Sequence, residues 1–302
     1  MGRKKTKVKV KNMIQLLASD LDGTIVYNHE ITTEDLEAVK QLKQTEVKFV
    51  VCTGKTYAMT KDVCNILEPA YGIFGNGAQV INLQTGEEII RNSITNTQVI
   101  DCLEIAKKHN LHVHIYTDNK IIAQESLKYM AYRNYVLYKD QVQFDVVDSM
   151  KTYIKKQNPN ILKFILSGEK DLRKVKKEIE AKENVTAIQI KKYGEYRDKI
   201  VDREYEYLDI VPKDVTKYQA LKQLSLYLKI PFANIMAIGD NINDIEMIKY
   251  AGIGVAIGGS YEEVQKVASY VTRNTVKTGG FAEAVSKFIK EKRSEHVYSR
   301  RI

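Results

Sequence analysis

Two short acidic segments, Asp20-Leu21-Asp22-Gly23-Thr24 and Gly239-Asp240-Asn241-Ile242-Asn243-Asp244, lie far apart in the chain. Each follows an apolar run, Leu16-Leu17-Ala18-Ser19 in one case and Ile235-Met236-Ala237-Ile238 in the other. Short apolar runs of this kind fit buried parallel strands, and ligands of open α/β sheets bind where such strands end. Together with Thr53-Gly54-Lys55 and Lys217, these segments supply the parts of a phosphoryl-transfer site. Asp20, at a strand end, is an oxygen nucleophile towards phosphorus, and an aspartyl-phosphate would split one displacement into two. Asp22 enters the same pocket once the chain leaves the strand, as general acid and then general base. Gly23 lets the backbone approach phosphate, and Thr24 can hydrogen-bond the turn. The Thr53 hydroxyl and the Gly54 amide are donors to phosphoryl oxygens, and Lys217 is a clamping cation. Carboxylates as crowded as Asp20, Asp22, Asp240 and Asp244 would take up protons unless a cation joined them. Hard oxygen ligands beside a phosphate call for Mg2+.

Taken one at a time, these strings have plain readings: a surface turn, a helix start, a solvated lysine. Their order and their placement after apolar strands carry the argument. The flanking periodicity predicts a strand over 14–19, a helix over 33–43, a strand over 47–51, a helix over 56–67 and a third strand at Ile73-Phe74. The same alternation returns late, with helices over 217–228, 244–250, 262–268 and 280–290 and strands over 235–238, 254–257 and near Tyr270. This βαβ rhythm at both ends predicts one interrupted α/β domain with a parallel sheet. Between the ends the pattern changes to hairpins and α+β units. Strands are expected over 113–116, 121–124, 162–166, 185–190 and 204–210, and helices over 97–108, 127–138 and 171–182. The expected division is a basic tail over 1–11, a catalytic core over 12–81 and 210–302, and an inserted cap over 82–209. An insert beside the acidic strand ends suits a lid. If it is only a lid, its removal spares a small activated ester more than a large one.

Composition narrows the classes. The chain has 302 residues, 44% hydrophobic and 28% charged, enough for a large core and for two domains. No apolar run approaches the ~20 residues of a membrane span, and the basic N-terminus lacks an apolar signal core, so the expected compartment is the cytoplasm. Cys52, Cys64 and Cys102 form no CxxC pair and read as free, buried thiols. His112 and His114 share a strand face without a third metal ligand. The net charge of +9 falls to +3 without the six basic residues of 1–11, so a solvated arm accounts for most of it and no specific nucleic-acid partner is expected. The opening Met1-Gly2-Arg3-Lys4-Lys5-Thr6 also fits a lipidation pattern.

The four segments, with Asn76-Gly77-Ala78, Leu208-Asp209-Ile210-Val211-Pro212 and Ala251-Gly252-Ile253-Gly254-Val255-Ala256, resemble the haloacid dehalogenase superfamily, specifically Cof-type phosphatases with a C2-class cap. The resemblance covers the chain except its tails. It implies a Rossmann-like core with a parallel sheet and an inserted α+β cap. It also implies a Mg2+-dependent phosphomonoesterase acting on small phosphorylated metabolites. By resemblance the metal is held by Asp20, the Asp22 carbonyl and Asp240, with Asp244 in the outer shell, and Asn243 helps hold phosphate. Three departures stand out: Lys55 where the family usually has Arg, Tyr218 where a small Gly is usual, and Gly258-Gly259-Ser260 in place of Gly-Asn-Ala.

Competing readings are a phosphomutase acting on sugar phosphates, and a basic nucleic-acid or membrane-binding protein working through 1–11. Within the insert, Tyr129, Tyr132 and Val136 lie on one helical stripe and are expected in the core. Asp118 and Asn119 are expected in a hairpin turn.

Overall fold

A computed structural model of the chain describes residues 14–289 apart from 128, 169–171, 183 and 197–198. The basic tail of 1–11 therefore lies outside the described residues.

Strands β1 (Leu16–Ser19), β2 (Lys48–Cys52), β3 (Tyr71–Phe74), β4 (Gln79–Asn82) and β5 (Glu88–Arg91) come first. The middle of the chain adds β6 (His112–Tyr116), β7 (Lys120–Gln124), β8 (Gln143–Val147), β9 (Lys163–Ser167), β10 (Val185–Tyr196) and β11 (Lys199–Pro212). Strands β12 (Ile235–Gly239), β13 (Ile253–Gly258) and β14 (Tyr270–Thr275) close the series. The helices are α1 (Thr33–Lys43), α2 (Lys61–Leu67), α3 (Asn96–Lys108), α4 (Tyr129–Tyr138) and α5 (Met150–Gln157). They continue with α6 (Leu172–Lys182), α7 (Lys217–Tyr227), α8 (Ile245–Tyr250), α9 (Glu262–Val267) and α10 (Gly280–Phe288).

The first sheet runs β14-β13-β12-β1-β2-β3-β4-β5. It is parallel from β14 to β3 and antiparallel beyond. Successive residues of β1 face opposite layers. Leu17 packs with Val39 and Leu42 of α1 and with Phe281 of α10. Leu16 and Ala18 pack with Leu221 and Leu224 of α7 and Met247 of α8. A strand covered on both faces must be apolar throughout, and all four residues of β1 are buried. Strand β1 pairs with β2 on one side and on the other with β12, which the chain reaches only after the second sheet, so the carboxyl ends of β1 and β12 flank the switch point where ligands of such sheets bind.

Strands β4 and β5 belong to this sheet, so the first crossing into the insert falls after Arg91 and not at Ile81. The cause is local: after β3 the chain turns back twice as a short antiparallel meander, through Gly75–Gly77 and again around Gly86 (φ 76).

The second sheet has the order β10-β11-β9-β6-β7-β8. One face is sealed by α3, α5 and α6 through Val99, Leu103, Ile154, Val175 and Ile179. The other carries Tyr116, Ile165, Ile190 and Tyr207 and packs on Ala58 and Met59 of the core. Strand β8 and helix α5 escape the sequence reading because their apolar pattern is thin: β8 is a half-exposed edge strand, and α5 buries Met150 and Ile154 amid lysines.

The expected stripe on α4 is corrected. Val136 is exposed and Tyr132 half-buried, and the Tyr129 side chain lies outside what is described. The buried face instead carries Ala131, Asn134 and Tyr138, two of them polar. Asp118 sits in the expected turn and also pairs with Arg91 at 2.8 Å. His114 is wholly buried, which holds its ring well below the usual histidine range and hence neutral. Tyr218 packs on the rings of Phe232 and Tyr250.

Candidate active site

Asp20 continues the β1 ladder by donating its amide to Ile238 at 3.0 Å. The chain then turns through Gly23, whose φ of 85° suits glycine. A Cβ there would lie 2.3 Å from Asp240 Oδ2, so the missing side chain is what lets the two acidic loops close on each other. Thr24 ties them: its hydroxyl donates to Asp240 Oδ1 at 2.9 Å across the sheet, not to its own turn. At the end of β12, the amides of Asp240 and Asn241 both donate to Asp244 Oδ2, at 3.1 and 3.0 Å. This carboxylate holds its own loop.

Lys217 opens α7, where Thr216 caps the helix by accepting from the Gln219 amide. A cation at a helix start opposes the macrodipole, so its place needs another cause. Its ammonium lies 2.7 Å from Asp20 Oδ1 and 2.7 Å from Asp244 Oδ1. Burial alone would lower the lysine's pKa, and the two carboxylates nevertheless hold it above its ordinary value. One ammonium does not balance the cluster. Burial, with Asp244 and Asp22 nearby, pushes Asp20 up to about 6 despite Lys217, and burial with Asp20 and Asp244 pushes Asp240 well above the carboxylate range.

Oxygens of Asp20, Asp240 and Asp244 lie within 4.8 Å of one another. The donor set is all hard oxygen with charge to spare, and it fits a divalent cation of the Mg2+ type. Both Asp244 oxygens already accept hydrogen bonds from Lys217, Asp240 and Asn241, which suits a supporting place better than direct ligation.

Asp20, Asp22, Thr53, Gly54 and Asn243 line one cavity of about 60 Å³. Lys217, Asp240 and Asp244 join them through Asp20. Asp22 is held at 2.7 Å by Lys55. Burial tends to lower the Lys55 pKa, but Asp22 and the Tyr138 hydroxyl hold it above the usual lysine value.

The cavity roof comes from the insert: Tyr116, Arg133, Asn134, Lys163, Tyr207 and Asp209. Of these, only Asp209 figures in the sequence motifs above. Lys163 was detectable as a lysine inside the apolar run Ile161-Leu162-Lys163-Phe164-Ile165-Leu166. Asn134 and Tyr138 share a helix face at i, i+4, a spacing that apolar periodicity does not single out.

The sequence profile of the haloacid dehalogenase-like hydrolases matches residues 17–285. The chain belongs to that family. Among the haloacid dehalogenase-like proteins it is 28% identical over 295 residues to the Bacillus subtilis protein YxeH, covering 92% of this chain and 99% of the other. It is 24% identical over 279 residues to the 5-amino-6-(5-phospho-D-ribitylamino)uracil phosphatase YcsE of the same organism, covering 91% and 96%. A haloacid dehalogenase-like hydrolase structure from Bacteroides thetaiotaomicron superposes with a TM-score of 0.74 at 26% identity, covering 91% and 99%. A subclass IIB sugar phosphatase of the superfamily gives 0.74 at 21%, covering 91% and 98%, a likeness of fold. The chain is thus an α/β hydrolase of this superfamily. No helix among the described residues is long and apolar enough to cross a membrane.

Proposed function

We propose that the protein is a Mg2+-dependent phosphatase that hydrolyses small phosphomonoesters, sugar phosphates or phosphorylated cofactors, through an aspartyl-phosphate on Asp20. The observation that carries this is the placement of Asp20: it ends a buried strand, one oxygen accepts from Lys217, and it borders a cavity beside Asp22, Thr53 and Asn243. In the first step an Asp20 oxygen bonds to phosphorus and the ester P–O bond breaks, with Asp22 giving its proton to the leaving oxygen. In the second, Asp22 takes a proton from water, the water oxygen bonds to phosphorus, and Asp20 is released. Thr53, Gly54 and Asn243 donate to the phosphoryl oxygens, and Lys217 steadies the carboxylates behind them. Asp20, the Asp22 carbonyl and Asp240 would hold Mg2+, with Asp244 supporting. The metal would offset the charge on the phosphoryl oxygens. The inserted unit is a cap that favours particular leaving groups and excludes water. The relative named for a phosphorylated ribityl compound supports a polyol or sugar leaving group.

A panel of phosphorylated metabolites, assayed for free phosphate with Mg2+, tests this. Isomerised sugar phosphate without free phosphate would indicate a phosphomutase, and salt-sensitive binding lost with residues 1–11 a basic binding protein.

Two further results are expected. Asp22→Asn should accumulate phosphoenzyme relative to wild type, most with good leaving groups, because the acid is then dispensable and the base is not. No increase in trapped phosphoenzyme would remove Asp22 from that role. A chelator should abolish turnover and Mg2+ restore it, while excess Ca2+ inhibits through its looser coordination. Protons compete for Asp20, so calorimetric Mg2+ affinity should fall as pH drops through about 6. Affinity independent of pH there would place the cation elsewhere.

A further inference from the structure

Lys163 and Asp209 sit on adjacent strands of the inserted sheet, yet both reach into the core. Lys163 is 3% exposed and Asp209 1%, and their Nζ–Oδ2 distance is 2.6 Å. A buried ion pair gives up hydration that its attraction seldom repays, and apolar replacements are often as stable. What distinguishes this pair is what else it holds.

Lys163 Nζ donates to the Gly54 carbonyl at 2.6 Å. That carbonyl and the Lys55 amide belong to one planar peptide and point opposite ways. Fixing the carbonyl fixes the amide, which donates to Thr53 Oγ1 at 3.2 Å. With its oxygen accepting there, the Thr53 hydroxyl hydrogen is directed to another acceptor, and Thr53 lines the cavity.

Asp209 holds the second arm. A carboxylate only accepts, so Asn76 must turn its Nδ2 towards Asp209 Oδ2, at 2.8 Å. Asn76 Oδ1 then faces Asn243, whose Nδ2 donates to it at 2.9 Å. Of the two Asn243 amide hydrogens one is used, leaving the other for a ligand oxygen. Asn76 adopts φ 56° between Gly75 and Gly77, and its amide is tied to the Thr53 carbonyl at 3.0 Å. Both arms therefore meet at one carboxylate oxygen of the insert.

We propose that Lys163 and Asp209 are positioning residues for the phosphoryl centre, orienting Thr53 through the Gly54 peptide and Asn243 through Asn76; the proposal rests on the phosphatase reading above. The insert is then more than a lid. Removing it harms a small activated ester as much as a large one, contrary to the expectation from the sequence.

The test is the double variant Lys163→Met/Asp209→Leu, which exchanges the pair for apolar side chains. The thermal midpoint should fall only modestly, from the Gly54 carbonyl and the Asn76 amide each losing a partner. kcat/KM should fall roughly ten- to hundredfold, equally for p-nitrophenyl phosphate and for a large monoester, and calorimetric affinity for inorganic phosphate with Mg2+ should fall too. Wild-type rates on the small ester with unchanged phosphate affinity, or a loss confined to the large ester, would overturn the proposal. Should the double variant fail to fold, Asp209→Asn keeps the shape but allows the amides to turn, and the same two readouts decide by the same outcomes. A wild type that neither releases nor binds phosphate refutes the phosphatase reading, whereas an active wild type with indifferent variants refutes this inference alone.

Discussion

Asp20→Asn is expected to lower kcat on the order of 10⁴-fold or more while leaving the protein folded. The amide cannot attack phosphorus, and the site loses a carboxylate suited to the cation. Stability should move the other way. Burial raises the Asp20 pKa from 3.8 to about 6, so the folded protein favours the protonated acid. The stabilisation from that proton is fully present below 3.8 and is lost as pH rises through about 6. Near neutral pH the metal-free wild type carries an ionised, crowded carboxylate that the Asn variant lacks. The metal-free variant should therefore melt at or above the wild-type midpoint above pH about 6, and the difference should shrink as pH falls. Calorimetric melting of metal-free protein on both sides of that pH checks it. A variant that is folded and fully active would refute the nucleophile.

Lys217→Ala should damage both turnover and stability. It strips the ammonium from two buried carboxylates at 2.7 Å, and breaking a buried pair by removing one partner costs about 3–5 kcal/mol. That is a large share of the roughly 5–15 kcal/mol that holds a domain folded. The loss should be relieved as pH falls, because protonating Asp20, whose pKa burial raises to about 6, removes part of the uncompensated charge. Melting across an acidic to neutral pH series separates this from plain cavity formation, which would give a pH-independent loss. An active Lys217→Ala enzyme would mean that the cluster is balanced by another group.

The residues that the sequence brings to light are those whose position is dictated by where a buried strand stops. Asp20 and Asp240 come where short apolar runs give way to acidic segments, so their place at the sheet end can be read from that pattern. Lys217 alone reads as a solvated lysine, and only its order with the acidic segments marks it in the sequence. The roof of the cavity was hidden because sheet faces alternate, and a half-buried mixed face looks like any other. Tyr116 and Tyr207 read as ordinary members of their strands until β6, β9 and β11 are seen side by side, and of this roof only Lys163, a lysine in an apolar run, carried a signal. The crossing into the insert was misplaced because β4 and β5 are short and their turns are cut by glycine rather than by a change in composition. The stripe on α4 failed because Asn134 and Tyr138, directed at the site, took the face that an apolar count assigns to Tyr132 and Val136.

Rapid acid quenching of the Asp22→Asn enzyme during turnover, followed by mass spectrometry of its peptides, tests the central claim most directly, because an acyl phosphate survives brief acid. The account predicts the added mass of one phosphoryl group on the peptide carrying Asp20, absent from Asp20→Asn. Phosphate release with that peptide unmodified, or a phosphoryl group on another residue, would contradict it.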